Sequence, residues 1–423
     1  MLARGRARLS LYSGRGGRSH FSTSSISFQP TAALWQRWSG LRVDGTEDPD
    51  PNDSDYESDG EEPNADAGAD VQNRHHHHDE IVGFAINGLN RFHAHHLRRD
   101  DEWLRYALHE SPNSRFLAFH KLRPMVEHRT PPTHLGPILA WQERGEVLPA
   151  ITDAKSTVLL LGQSLRETNS DRSIQEQLSD ESNQINVFAF DLDPIVGDDE
   201  QEAQRYAAAH QTHLEVRTTF EEPRAIVPHL PPWEGGVVAQ ARSLLHWHKK
   251  NGFCAACGST TKSVEAGYVR KCNDDKNASC GMDHYPRTDP CIITMVVSSN
   301  RDKCLLGRKS SWPAGRFSLL AGFMEPGETI EAAVLREVYE EAGLLLDYDK
   351  VAYKLSQPWP FPASLMIGCV ATMHEAEIQR QKVSVDYHEL DEARWFDVKE
   401  VAAMLARSTQ LTIGIRAGRG AGG

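Results

Sequence analysis

Three glutamates, Glu337, Glu340 and Glu341, fall at i, i+3 and i+4 in the run Glu331-Ala-Ala-Val-Leu-Arg336-Glu337-Val-Tyr-Glu340-Glu341-Ala-Gly343. On a helix that spacing brings them to neighbouring positions, where like charges repel. A hard divalent cation among them removes the repulsion, and oxygen ligands with water positions to spare suit Mg²⁺ or Mn²⁺. The plainer alternative is a solvated acidic helix face. A second set is built from sulfur. Cys254 and Cys257 stand at C-x-x-C spacing with Gly258 behind them, and Cys272 and Cys280 follow after gaps of fourteen and seven residues. Two thiolates in a tight turn, joined by a pair returning on a hairpin, make a closed tetrahedral zinc site, which is structural because no position stays open for water. The seven-residue gap is long, and His284 is close enough in sequence to compete with Cys280 as fourth ligand.

Each set needs an element to hold it. Pro326-Gly327 marks a turn, Thr329 is an N-cap residue, Glu331 suits a helix N-terminus and Gly343 is a C-terminal stop, so a helix of about 13 residues is expected between them. Its buried face would be Ile330, Ala333, Val334 and Val338. Upstream of the cysteines, Gly235–Lys250 reads as an amphipathic helix with Val238, Ala241, Leu244, Leu245 and His248 on one side. Asp101–Glu110 reads as a helix, and Arg115–Phe119, Thr157–Leu161 and Gln184–Asp191 as strands of a mixed α/β domain. Cys291, Cys304 and Cys369 lie singly in apolar runs and read as small core residues. No internal repeat is visible.

The full pattern around the glutamates is Gly322, five residues, Glu328, seven residues, then Arg336-Glu-Val-Tyr-Glu-Glu-Ala-Gly-Leu344. It matches the Nudix box at every fixed position, and the chain resembles the Nudix hydrolases, which cleave a nucleoside diphosphate linked to another moiety. Thirteen residues past Gly343 comes Ser356-Gln-Pro-Trp-Pro-Phe-Pro-Ala-Ser364. Its alternating prolines stiffen an extended segment that presents Trp359 and Phe361. A Cys₄ ribbon, a Nudix box and this segment, in that order, resemble the NADH pyrophosphatase family from about Ile81 to Glu400. Weaker traces are Leu89-Asn90-Arg91 and Ser114–Phe119.

The resemblance implies an α/β (α+β) chain with an N-terminal NADH-pyrophosphatase-like domain (81–245), a zinc ribbon (246–287) and a C-terminal Nudix α/β/α sandwich (288–406). It implies Glu337 and Glu341 as principal ligands of a catalytic Mg²⁺ or Mn²⁺, with Glu340, Glu389 and the Ala321 carbonyl in support. Arg336 would orient the acids. Gln357, Pro358, Trp359, Pro360, Phe361, Pro362, Ala363 and Ser364 would line the dinucleotide pocket, with Tyr285 and Phe323 as further substrate contacts. Glu341 or Glu340 could take the proton of the attacking water. The expected reaction cleaves NADH to AMP and reduced nicotinamide mononucleotide in a homodimer. Removal of NAD caps from RNA is the alternative, and a catalytically impaired dinucleotide-binding protein is a third reading. The third rests on the chain after Ala406, RSTQLTIGIRAGRGAGG, which lacks the periodicity of the pocket-closing helix usual in the family.

Composition bounds the rest. The chain has 423 residues and a formal charge of −13, but Met1–Val43 carries seven arginines and no acid, whereas Asp44–Asp70 carries twelve acids and no base. The first segment (1–43) has transit-peptide composition, which favours mitochondria over a peroxisomal or cytosolic location; the terminal Gly420-Ala-Gly-Gly423 is not an S-K-L-like tripeptide. The second (44–80, including His75–His78) reads as a disordered linker, and 407–423 as a flexible tail. A mildly acidic body argues against gripping nucleic acid mainly by its phosphates. Seven cysteines are too few for a disulfide scaffold, the N-terminus lacks the apolar core of a secretory signal, and no apolar run is long enough for a spanning helix.

Overall fold

The structure, a computed structural model, describes residues 92–129, 136–152, 156–165, 184–211, 216–273 and 280–404. The Arg-rich segment, the acidic stretch with its histidines, Leu89-Asn90-Arg91 and the tail 407–423 lie outside the described residues.

The N-terminal unit is one seven-stranded mixed sheet: β1 (Ser114–His120), β2 (Arg123–Arg129), β3 (Ile138–Leu139), β4 (Gln142–Glu143), β5 (Val158–Leu165), β6 (Gln184–Asp191) and β7 (Val216–Phe220). Period-2 alternation divides β1 between two cores. Phe116 and Ala118 face α1 (Asp101–His109), α2 (Arg144–Thr152) and α3 (Glu200–Ala209), whereas Leu117 and Phe119 face α4 (Pro232–Lys250). The expected stripe of α4, Val238, Ala241, Leu244, Leu245 and His248, is buried, and the helix begins earlier than expected because Pro232 suits the first helical turn. It runs unbroken through the boundary drawn at 245/246. His248 Nε2 donates to the Gly267 carbonyl (2.8 Å) while Arg270 donates to Nδ1 (2.8 Å), so the ring is a neutral structural link to the next unit. Burial lowers its pKa to about 4.

That next unit is a three-stranded ribbon, β8 (Thr261–Val264), β9 (Val269–Cys272) and β10 (Asp283–His284). It sits close to the first sheet. A Cβ on Gly267, whose φ is +92°, would lie 2.2 Å from the Leu159 side chain.

The C-terminal unit is a six-stranded sheet in the order β14 (Val351–Trp359), β15 (Ser364–Met373), β11 (Asp289–Ser298), β12 (Lys303–Arg308) and β16 (Glu392–Asp397), with β13 (Leu320–Phe323) paired to β11. Helix α5 (Ile330–Ala342) covers one face, where Ile292 and Val296 meet Ala333, Val334 and Val338. The other face carries Cys291, Ile293, Met295 and Phe396 beneath a helical stretch that includes Val401 and Met404. Cys291, Cys304 and Cys369 are all fully buried.

The two sheets share one topology, apart from β3, which pairs with β2 and has no counterpart in the second sheet. In both, the first strand pairs antiparallel with the second and with a short strand preceding a helix, and parallel with the far strand of a later hairpin; the second strand accepts the last. Strand β1 thus corresponds to β11, β4 to β13, β5–β6 to β14–β15, and α2 to α5. This repeat was not visible in the sequence, because the shared quantity is pairing order rather than residue type. Among the described residues no helix is long and apolar enough to cross a membrane.

Candidate active site and zinc centre

The carboxylate helix forms where its caps require. Thr329 Oγ1 accepts the Ala332 N–H (3.2 Å), and Gly343, at φ +67°, donates its N–H to the Tyr339 carbonyl (2.8 Å). Ala333, Val334 and Val338 are fully buried; Ile330, expected on the same face, is only half-buried. Each buried valine contributes about 1.5–3 kcal/mol, enough to fix which side of the helix faces the sheet.

Glu337 and Glu341 follow that buried stripe, with 6% and 4% exposure. Glu340 does not. At about 100° per residue, i and i+4 diverge by only about 40°, whereas Glu340 and Glu341 are about 100° apart. The Glu340 side chain is accordingly 46% exposed. The expected joint projection of three acids becomes a buried pair with a third on the rim.

Arg336 stands between them. Its Nη1 donates to Glu337 Oε1 and Glu340 Oε2 (both 2.8 Å), its Nε and Nη2 grip Glu328 bidentately (2.6 and 2.9 Å), and Nη2 also reaches the Phe323 carbonyl (2.8 Å). A planar guanidinium can hold all of these at once. Glu328, lowered below its ordinary carboxylate range by this hydrogen bonding, had no role in the sequence reading. The box fixes seven residues between it and Arg336, but spacing alone does not say that the two side chains meet.

The inner pair meets β13. Ala321 N–H donates to Glu341 Oε2 (3.1 Å), and a Cβ on Gly322 would fall 2.0 Å from the Glu337 carboxyl carbon. Gly322 is therefore a cradle cut for that carboxylate. Burial, then the charge of Glu337, pushes Glu341 up to about 8; Glu389 adds to this and Lys309 opposes it. Burial also raises Glu337, against the pull of Arg336, with Glu340 and Glu389 contributing repulsion. Two buried acids whose ionisation is opposed by burial offer the hard oxygen ligands that a divalent cation takes, but among the described residues only the four cysteines bring three or more possible ligand atoms within 4.8 Å of one another. Glu389 lies in an exposed turn where its N–H bonds the Asp386 carbonyl.

The four cysteines do converge. Their sulfurs lie within 4.8 Å of one another, with Cys254–Cys280 at 3.7 Å and Cys257–Cys272 at 3.5 Å. Zinc–sulfur bonds of about 2.3 Å imply tetrahedral edges of about 3.8 Å, so the set fits a zinc ion. Gly258, at φ +75°, returns its N–H to the Cys254 carbonyl (2.9 Å) and shapes the knuckle. His284 Nε2 lies 3.3 Å from Cys254 Sγ, beside the set rather than replacing Cys280.

The segment 357–364 differs from the expected extended loop. Gln357, Pro358 and Trp359 end β14, 360–363 turn, and Ser364 opens β15. Strand β14 is the sheet edge, which is why it tolerates a proline. Gln357, Pro360 and Ser364 are buried; Pro358, Trp359, Phe361 and Ala363 are half-buried; Pro362 is exposed. Trp359 and Phe361 meet edge-to-face at 5.6 Å. Phe323 and Tyr285 are 51% and 66% exposed, and among the described residues neither ring packs on another aromatic ring.

Three family profiles match the chain in sequence: an NADH pyrophosphatase-like rudimentary NUDIX domain over 113–247, an NADH pyrophosphatase zinc ribbon domain over 249–285 and a NUDIX domain over 290–413. Over 113–285 and 290–413 the chain is similar to the NADH pyrophosphatase family of Nudix hydrolases. It is 43% identical over 226 residues to the NAD-capped RNA hydrolase NUDT12 of Homo sapiens, covering 53% of this chain and 45% of that one. It is 39% identical over 237 residues to an NAD-capped RNA hydrolase of Schizosaccharomyces pombe (54% and 59% covered). It is 37% identical over 209 residues to the mitochondrial NAD(P)H pyrophosphatase NUDT13 of Homo sapiens (49% and 56% covered). The chain spans about half the length of the relatives it matches.

The rudimentary domain is the first of the two like-folded units. Its helix α2, Arg144-Gly-Glu-Val-Leu-Pro-Ala-Ile-Thr152, holds a single acid, Glu146, whose carboxylate caps the Glu143 N–H (2.6 Å). Of the two corresponding helices, α5 alone carries a cluster of acids, and the ribbon brings together four cysteines that fit a structural zinc.

Proposed function

We propose that the chain hydrolyses the pyrophosphate bond of NADH and related dinucleotides, releasing AMP and reduced nicotinamide mononucleotide, with Mg²⁺ or Mn²⁺ at the α5 carboxylates. The observation that carries this reading is the Glu337–Glu341 pair, buried beneath Gly322 and flanked by the Arg336–Glu328 clamp. Glu337, Glu341 and Glu389 would hold the cation, with Glu340 at the rim and the Ala321 carbonyl in reach of the same strand. Bound there, a divalent ion neutralises charge growing on the leaving phosphate and lowers the pKa of a water.

The side chains divide the remaining work. Arg336 holds Glu337 at a fixed height, since its guanidinium is itself anchored on Glu328 and on the Phe323 carbonyl. Ala321 N–H occupies one oxygen of Glu341 and leaves the other to accept a proton. Glu341 is buried beside Glu337, whereas Glu340 is exposed and held by Arg336, so Glu341 suits this role better. Water oxygen bonds to phosphorus, the bridging P–O bond breaks with its electron pair going to the departing phosphate, and Glu341 takes the water proton. Gln357 to Ser364, with Phe323 and Tyr285, would seat the rings of the dinucleotide.

Removal of NAD caps from RNA breaks the same bond, and the names of two relatives favour it. Chromatography of products from NADH, NAD⁺, ADP-ribose and NAD-capped RNA, each with Mg²⁺ or Mn²⁺, decides between them. No AMP from any dinucleotide would overturn the reading. The proposal extends to a homodimer, testable by sedimentation, and to mitochondrial import through 1–43, testable by fusing that segment to a fluorescent reporter.

A further inference from the structure

The turn that carries Phe361 has few means of holding its own shape. Prolines at 358, 360 and 362 remove amide donors; Phe361 N–H bonds the Trp359 carbonyl (2.8 Å), the Ala363 carbonyl accepts the Asp289 N–H (2.9 Å), and Trp359 and Ser364 pair where the two strands meet. Strand β14 has a partner on one side only. Phe361 itself leaves its own domain and packs on the core of the N-terminal unit, beside residues of α4.

Two guanidiniums of the N-terminal unit meet it there. Arg242, on α4, donates from Nη1 to the Pro360 carbonyl and places its guanidinium carbon 4.5 Å from the Phe361 ring centre. Arg224, in the short helix Pro223–Ile226, stacks 4.1 Å from the same ring and 5.7 Å from Trp359. The pair of like charges is offset by Glu222 alone among the acids acting on Arg242, and burial lowers Arg242 only to about 10, so it stays charged at neutral pH. Arg224 is exposed, and its guanidinium lies against the two rings.

We propose that Arg242, assisted by Arg224, is a positioning residue for the reaction: it fixes the Trp359–Phe361 wall of the dinucleotide pocket from outside the Nudix domain, making the rudimentary domain part of the substrate site. The inference rests on the reading that 357–364 lines that pocket. A guanidinium satisfies both demands of the site at once, since it is planar for the ring and carries a donor for the Pro360 carbonyl; an ammonium has charge and donors but no flat face to lay on the ring.

The test uses the full chain with Arg242→Met, Arg242→Lys and Arg224→Gln. Two quantities are read: amide hydrogen exchange of peptides covering 357–364, and KM and kcat for NADH at saturating Mg²⁺. Arg242→Met should speed exchange in that segment and raise KM about tenfold, the equivalent of one lost hydrogen bond or cation–π contact, with kcat within about twofold. The Mg²⁺ half-saturation should not move, because Glu337 and Glu341 are untouched. Arg242→Lys should fall between wild type and Met. If Arg242→Met does not fold, the exposed Arg224→Gln must show the same direction at about threefold. Unchanged exchange at 357–364, or loss of kcat at constant KM, overturns the inference. Failure of the wild type to cleave NADH overturns the functional reading instead, and the exchange result then decides the bracing by itself.

Discussion

Replacing Gly322 by alanine isolates the contact on which the cation site depends. The added Cβ would lie 2.0 Å from the Glu337 carboxyl carbon and 2.0 and 2.1 Å from its two oxygens. Ordinary contact begins at 3.4 Å, so the carboxylate must retreat by about 1.4 Å. Moving β13 instead would disturb its pairing with β11, where Gly322 stands opposite Ile292. The carboxylate is the flexible end of its side chain, and Arg336 already holds one oxygen at 2.8 Å from the rim side. The chain should therefore relieve the clash by swinging Glu337 out, with little loss of thermal stability. Misplacing a catalytic group by about 1 Å can cost about 100-fold. Gly322→Ala is thus expected to lower kcat for NADH about 100-fold and to raise the Mg²⁺ concentration for half-activity, with circular dichroism and Tm close to wild type. A cycle with Glu337→Gln sharpens the test: both changes act through one carboxylate, so the double variant should be scarcely worse than Glu337→Gln alone. Wild-type kcat in Gly322→Ala, or fully additive losses, would refute the reasoning.

Glu341→Gln should keep the fold and lose at least about 100-fold in turnover, as when one element of transition-state electrostatics is removed; Mg²⁺ should raise the Tm of the wild type but not of this variant, and equal thermal shifts would count against Glu341 as a ligand. Cys257→Ser should lose the zinc, measured by mass spectrometry under native conditions, and unfold at lower temperature, since binding energy of about 10 kcal/mol is coupled to folding in small zinc modules. His284→Ala should retain one zinc per chain, because four sulfurs already converge without it; loss of the metal there would make His284 a ligand. Trp359→Ala should raise KM for NADH more than it lowers kcat, as expected of a wall that binds ground and transition states alike, and the reverse split would place the segment at the cation instead.

Local signals read well where one element carries its own punctuation. Helix α5 spans Ile330–Ala342 between Thr329 and Gly343 because a hydroxyl cap and a left-handed glycine are chemical requirements of helix ends, visible without any partner. The same holds for the cysteine knuckle. Reasoning failed where a side chain's direction is set by something across the fold. Spacing alone grouped Glu340 with its neighbours, yet the sheet draws Glu337 and Glu341 inward and Arg336 retains Glu340 outside. Gly322 was a fixed letter of a motif, and its reason appears only when β13 lies against α5. Arg242 was one residue among the polar positions of an amphipathic helix; its partner, Pro360, is 118 residues away, and no periodicity links them.

The duplicated topology shows how far the site is separable from the fold. Helices α2 and α5 occupy the same place, each after a short strand paired to the first strand of its sheet and before a hairpin. Position on the scaffold is therefore shared, while length and composition differ: α2 has 9 residues and one acid, whereas α5 has 13 residues with two acids on the buried stripe. A sheet needs apolar residues from such a helix, which Val147 and Ala150 supply as well as Val334 and Val338 do. Buried acids add nothing to that packing and raise its cost through desolvation. On α5 the proposed cation site gives them a use outside the packing, whereas the first unit, without such acids, offers its surface to the second: its helix α4 carries Arg242, the side chain that reaches the Trp359–Phe361 turn.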